Sequence, residues 1–183
     1  MTPGGTAVRI DEIEQVVLLD ETGDAIGVAD KATVHDGATA LHLAFSCHVF
    51  APDGALLVTR RALAKRTWPG VWTNSFCGHP SPGERIEDAV TRRADRELGA
   101  RLESLELALP DFRYRAVDAS GVVENEICPV YTATLSSREA LDPRADEVMD
   151  YEWVDPEATL AAVRATPWAF SPWLVLQLPR LLG

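Results

Sequence analysis

Hydrophobic and polar positions along the chain change rhythm several times, and each rhythm predicts an element. Val16 to Leu19 is a continuous apolar run closed by Asp20-Glu21-Thr22-Gly23-Asp24, which predicts a buried strand and its turn. A polar stretch carrying Lys31, His35 and His42 follows. Leu43 to Phe50 alternates, turns at Pro52-Asp53-Gly54 and returns as Leu56 to Arg60, the pattern of a hairpin. Trp68 to Ser75 is rich in turn residues and tryptophan and predicts irregular backbone. Between Arg85 and Leu98 the apolar residues Ile86, Val90, Ala94 and Leu98 recur every fourth position and Gly99 supplies a stop, which predicts a helix. Leu105–Leu109, Phe112–Val117 and Val122–Leu135 alternate as strands, with Ala119-Ser120-Gly121 as a turn. Val148–Trp153 reads as a further strand, and Pro156–Arg164 and Trp173–Leu182 read as helices. Strands mixed with a few helices, without regular βα alternation, predict an α+β domain with α/β/α layers around a mixed sheet.

Composition narrows the function classes. At 183 residues the chain suffices for one core, and residues 14–183 are expected to form a single domain behind a flexible segment of residues 1–13. A net charge of −11 argues against nucleic acid or an anionic membrane as partner. The cations are nevertheless bunched, with Arg60, Arg61, Lys65 and Arg66 close together and Arg92 beside Arg93, an arrangement that suits a small polyanion. Cys47, Cys77 and Cys128 make no disulfide framework, no secretory pattern precedes them, and no apolar run is long enough to span a bilayer. A reducing cytoplasm is the expected location.

Two short patterns carry the chemistry. In extended chain, residues two apart face the same side, so Cys77 pairs with His79 and Glu124 with Glu126, and two such pairs facing each other would make a metal-and-proton site. Gly78, Glu84, Arg92, Glu97 and Gly99 stand at the spacing of the Nudix hydrolase helix, but Arg93 and Arg96 occupy positions where that family has glutamates. The missing carboxylates are those that hold divalent ions for diphosphate hydrolysis.

Further segments sharpen the resemblance. Leu41 to Phe45, Leu57 to Ala62, Trp68 to Ser75, Cys77 to Pro80, Asp111 to Arg115, Glu124 to Glu126, Asp146 to Tyr151 and Pro167 to Trp173 together resemble the type I isopentenyl diphosphate isomerases, Nudix-fold enzymes. The resemblance implies a Nudix-like mixed β-sheet sandwiched by helices and reversible interconversion of isopentenyl and dimethylallyl diphosphate. It implies Cys77 and Glu126 as an acid and base acting on opposite faces of the substrate, with Tyr114 hydrogen-bonded to Glu126 and Trp173 lying against a carbocation-like intermediate. It implies Lys31, Arg61, Lys65 and Arg93 as diphosphate ligands. His35, His42, His79, Glu124 and Glu126 would hold one Mn²⁺ or Zn²⁺, or Mg²⁺, while Glu97 would hold a Mg²⁺ shared with the diphosphate. The only expected partner is the prenyl diphosphate itself, bound by a monomer. His48 matches nothing in this set and is read as an ordinary core or surface histidine. Alternative readings are a Nudix diphosphohydrolase, disfavoured by Arg93 and Arg96, and a non-catalytic diphosphate-binding module, which would need none of Cys77, Tyr114 and Glu126.

Overall fold

Two long stretches of chain, residues 42–50 and 123–134, run side by side in parallel and form the spine of the molecule in a computed structural model that describes residues 14–183. The expected flexible segment 1–13 lies outside the described residues. Along the spine Glu126 pairs with His42 and Ile127 with Leu43, and in the same register Val130 pairs with Ser46 and Thr134 with Phe50. Each stretch is interrupted once, at Ala44 and at Cys128-Pro129, so that strands β3 (His42–Leu43) and β10 (Val123–Ile127) belong to one sheet while β4 (Phe45–Phe50) and β11 (Val130–Thr134) belong to another.

The single strand expected over Val122–Leu135 is therefore two strands. Pro129 has no N–H to donate and cannot continue a ladder, so the pairing breaks there. Flanking groups are still satisfied: Cys128 N donates to Phe112 O at 2.8 Å, Ser46 N to Pro129 O at 3.1 Å, and Ala44 N to Ile127 O at 3.0 Å.

The smaller sheet has the order β2-β1-β3-β10-β9, with β1 at Gln15–Leu19, β2 at Ala25–Asp30 and β9 at Arg113–Val117. The larger has the order β12-β5-β4-β11-β8, with β5 at Leu56–Arg61, β8 at Ser104–Leu109 and β12 at Val148–Val154. The predicted hairpin of β4 and β5 opens after one pair, Phe50 with Leu56. Into the gap goes the tryptophan-rich segment, as β6 (Trp72–Thr73) on β5 and β7 (Phe76–Gly78) on β4. Buried hydroxyls hold this wedge: Ser75 Oγ donates to Leu57 O at 2.7 Å and accepts from Val49 N at 2.8 Å, while Thr59 Oγ1 donates to Asn74 O at 2.9 Å.

Helices cover both faces of the larger sheet, as alternation along its strands requires. Phe45, Cys47, Val49 and Leu57 pack with Ala89, Val90, Ala94 and Leu98 of α2 (Ile86–Leu98). Leu56 and Val58 point the other way, against Leu160 and Val163 of α3 (Pro156–Ala165) and Leu174 and Leu178 of α4 (Pro172–Leu182). The predicted α/β/α layering is thus present. Gly99 ends α2 in the left-handed region at φ 58°, where a Cβ would also meet Asp142 O at 2.5 Å. Strand β2 and the short helix α1 (Lys31–Val34) are found within the stretch read only as polar.

Candidate active site

The wedge segment delivers Cys77 and His79 to the wall of a cavity of about 530 Å³, which is also lined by Tyr114, Glu124, Glu126 and Trp173. Period-two geometry in β10 turns Glu124 and Glu126 to the cavity while Asn125 points away and donates to Thr39 O at 3.2 Å. Cross-strand register places His42 on one side of Glu126 and Tyr114 on the other. His35 comes from the residue capping the C-terminus of α1.

The histidines form one cluster with the carboxylates. His79 Nε2 and His42 Nε2 lie 3.2 and 3.5 Å from Glu126 Oε1, and His35 Nε2 lies 3.0 Å from Glu124 Oε2. One donor atom from each of His35, His42, His79 and Glu126 falls within 4.8 Å of all the others. Glu124 adjoins this group through His35, and its other oxygen accepts from Thr67 Oγ1 at 2.7 Å. Among the described residues, His35 Nε2, His42 Nε2 and Glu124 Oε2 are buried without a hydrogen bond. Buried polar atoms left in that condition are costly unless another partner binds them. Imidazole nitrogens with carboxylate oxygens suit a borderline divalent cation, and the contact of His42 Nδ1 with Ala40 O at 2.9 Å turns its Nε2 inward as a ligand requires. Burial pushes His79 down to about 4 despite Glu126. Glu126 is itself held well below the carboxylate range, because His42 and His79 outweigh its burial.

The remaining reactive groups sit beside this cluster. Burial pushes the Cys77 thiol up to about 12, although Ser46 Oγ at 3.2 Å and Asn74 Oδ1 at 3.3 Å touch its sulfur. Tyr114 is driven well above its ordinary value by burial and by Glu126 and Glu124. Its hydroxyl makes no hydrogen bond to Glu126 in this structure. The phenol ring stacks on Phe112 and lies 5.8 Å from the Trp173 ring, so cross-strand adjacency alone did not bring the hydroxyl onto the carboxylate.

At the other end are cations, each already partnered. Lys31 donates to Glu14 at 2.5 Å, Lys65 bonds Glu147, and Arg93 contacts Glu97 at 2.5 Å and Glu147 at 3.4 Å. Arg61 donates to Thr67 O and lies over the Trp173 ring, 5.3 Å from its centroid. Arg93 Nε is buried without a partner among the described residues, a donor left over for a ligand oxygen.

Comparison with known proteins decides the family. Residues 40–174 match the NUDIX domain model. A protein of Clavibacter michiganensis named isopentenyl-diphosphate Delta-isomerase is 67% identical over 92% of this chain and 86% of its own length. One of Citrobacter koseri with the same name is 56% identical over 90% of each. The chain belongs to the isopentenyl-diphosphate Delta-isomerase family of NUDIX-domain proteins. Solved structures agree on the fold: a Deinococcus radiodurans protein superimposes with a TM-score of 0.72 at 20% identity over 93% of this chain and all of its own, and a Methanosarcina mazei MutT protein with 0.58 at 17% over 77% and 92%.

Within this isomerase family member, the NUDIX helix α2 serves ion pairing. Glu84 and Arg92 form a bidentate pair at 2.8 Å on its surface, and Arg96 reaches out to Glu14 at 2.6 Å. Arg93 alone points into the cavity wall, passing close to Gly78, where a Cβ would sit 2.8 Å from both Arg93 Cγ and Phe45 Cζ. Of the residues singled out from sequence, Cys77, Tyr114, Trp173, Lys31, Arg61, Lys65, Arg93, His35, His79, Glu124 and Glu126 line the cavity. His42 is fully buried behind Glu126, and Glu97 sits behind Arg93, off the wall. Sequence reasoning missed Thr67, Asn74, Glu14 and Glu147. Glu147 had a signal, since bunched buried cations need a nearby carboxylate and it stands in a segment already carrying the resemblance.

Proposed function

We propose that this chain catalyses the reversible isomerisation of isopentenyl diphosphate to dimethylallyl diphosphate. The observation that carries the reading is a single cavity in which Cys77, Glu126, Tyr114 and Trp173 adjoin Lys31, Arg61, Lys65 and Arg93. Its relatives' shared name agrees with it.

The reaction adds a proton to a terminal methylene carbon and removes another from the carbon next to the diphosphate-bearing one, moving the double bond by one position. Cys77 and Glu126 serve as the proton donor and acceptor and exchange roles with the direction of reaction. Tyr114 assists proton transfer at the Glu126 carboxylate. Trp173 offers its π face to positive charge developing on the tertiary carbon, an effect of about 2 kcal/mol in a dry site. Exclusion of water keeps the cation from being trapped as an alcohol. Lys31, Arg61, Lys65 and Arg93 hold the diphosphate, with Arg93 replacing a hydrolytic carboxylate by a phosphate ligand.

His35, His42, His79, Glu124 and Glu126 would hold the Mn²⁺, Zn²⁺ or Mg²⁺ ion for which their unpartnered atoms fit. When bound, such an ion lowers the basicity of Glu126 and fixes its orientation. For the Mg²⁺ expected to accompany the diphosphate, Glu97 faces Arg93 rather than the cavity. The reading includes a cytoplasmic monomer without nucleic-acid or membrane partners; among the described residues no helix is long and apolar enough to cross a membrane. Purified protein given isopentenyl diphosphate should form dimethylallyl diphosphate without releasing phosphate. Rapid phosphate release with no allylic product would support a diphosphohydrolase instead, and binding without either product a non-catalytic module.

A further inference from the structure

The sulfur of Cys77 is a poor hydrogen-bonding atom, and a thiol alone holds its direction weakly. Here it is gripped from two sides, and both grips lead to helix α4. On one side, Asn74 Nδ2 donates to Cys47 O at 3.0 Å and Phe76 O at 2.8 Å, which fixes the amide orientation and leaves Oδ1 facing the site. That oxygen accepts from the Cys77 thiol at 3.3 Å and from Trp173 Nε1 at 2.8 Å. On the other side, Ser46 Oγ touches the sulfur at 3.2 Å and accepts from Gln177 Nε2 at 2.9 Å. Gln177 Oε1 in turn lies 2.9 Å from His48 Nε2. Burial holds His48 down to about 4, so at neutral pH its ring is uncharged and able to give Nε2–H to the amide.

The spacing makes this arrangement possible. Ser46 and His48 are two apart on β4 and therefore face α4 together, while Trp173 and Gln177 are four apart on α4 and face β4 together. A two-residue step along a strand is about 6.6 Å and a four-residue step along a helix about 6 Å, so the two rows stay matched. Ser46, His48 and Gln177 are fully buried, as is Asn74. Burying this much polar surface at one place is expensive unless it is hydrogen-bonded, and these side chains meet that need largely through one another, which holds them rigid.

We infer that Ser46 and Gln177, anchored by His48, are positioning residues that fix the Cys77 sulfur relative to Trp173, with Asn74 as the second arm of the same clamp on helix α4. The inference rests on the catalytic reading of Cys77. It gives His48, which lies outside the histidine cluster, a role through Gln177 and not through an ion.

The test compares Ser46→Ala, Gln177→Met, the double variant and Cys77→Ala for turnover, KM and melting temperature, at a temperature where each is folded. Because Ser46 and Gln177 act in series on one sulfur, each single variant should lose about tenfold in kcat, the double variant also about tenfold, and KM should stay within about twofold. His48→Leu should lose less than Gln177→Met. Unchanged kcat in the single variants, effects that multiply to about a hundredfold, or a KM that rises in step with the loss would each overturn the clamp. Full turnover by Cys77→Ala would instead overturn the catalytic reading on which it stands.

Discussion

The two ends of the cavity solve the problem of buried charge in opposite ways. At the diphosphate end each cation has a resident carboxylate or carbonyl: Glu14 for Lys31, Glu147 for Lys65, Glu97 and Glu147 for Arg93, Thr67 O for Arg61. At the histidine end, nitrogen and oxygen atoms crowd together while several lack hydrogen bonds. The first end is neutralised internally and held ready for an exchangeable anion. On the proposed reading the second is completed by an ion that stays. A substrate must come and go, so its site needs substitutes for it, whereas a resident cation needs none.

The largest effect should come where the two ends meet. Cys77→Ala and Glu126→Gln should each cut isomerisation by about three orders of magnitude or more with the fold retained, as steady-state rates and circular dichroism would show. Retention of wild-type turnover by Cys77→Ala would break the assignment.

Removing the tightly held ion and then assaying with Mg²⁺ supplied alongside the substrate tests the histidine end. Chelation should abolish activity, and Mn²⁺, Zn²⁺ or Mg²⁺ added singly should restore it to different extents. His79→Ala should lose bound metal in an elemental analysis while His48→Ala keeps it. Equal metal in the two variants would sink the ligand assignment on which the histidine end rests.

Arg93 tests the opposite end. Its side chain is buried against Glu97 and Glu147, and since Glu147 keeps Lys65, Arg93→Ala leaves Glu97 uncompensated and should cost about 3–5 kcal/mol in denaturant unfolding. Added diphosphate should stabilise the wild type more than the variant, which keeps only Lys31, Arg61 and Lys65.

Trp173 probes charge against bulk. Trp173→Phe should keep part of the turnover and Trp173→Leu should fall roughly a further tenfold, since leucine has no ring quadrupole. Arg61 already lies over this ring, 5.3 Å from its centroid, so a cationic centre on the substrate would share the indole with it. Equal rates for the two variants would make Trp173 a wall only.

The smallest effect concerns acid. Lys31 and Arg96 hold Glu14 down to about 2 against partial burial, from an ordinary value of 4.5. The folded protein therefore releases that proton more readily than the unfolded chain, and the stability gained is present above pH 4.5 and lost as pH falls towards 2. Glu14→Gln should flatten this part of the unfolding curve, and an unchanged slope would show that Glu14 is not a working counter-ion.

Much of this was legible in the sequence for a physical reason: helix α2 has a strict four-residue repeat and a glycine stop, and Cys77, Glu124 and Glu126 sit on strands whose period fixes their direction, with His79 one residue past the end of β7. Strand β2 was invisible because it lies at a sheet edge with Ile26 and Val28 exposed, and a strand without a buried face has no alternation to read. The opening of the β4–β5 hairpin was hidden for a different reason. Local alternation predicts each strand but not that a distant segment will wedge between them. The same limit applies to Glu97, whose helical position is evident yet whose side chain was captured by Arg93, and to the Tyr114 hydroxyl, which register brings near Glu126 without joining them.

Gly78 gives the cavity its scale. The strand bearing the Cys77 sulfur and the guanidinium stem of Arg93 are separated there by the thickness of a hydrogen atom, because any Cβ would collide with both Arg93 and Phe45. Phe45 is wholly enclosed and cannot retreat, so a methyl group at position 78 would drive Arg93 and helix α2 outward. If Arg93 grips the phosphate and Cys77 faces the reacting carbon, as proposed, the reach between them is gauged by an atom the chain lacks, and lengthening it would take a rebuilt helix packing rather than a wider pocket.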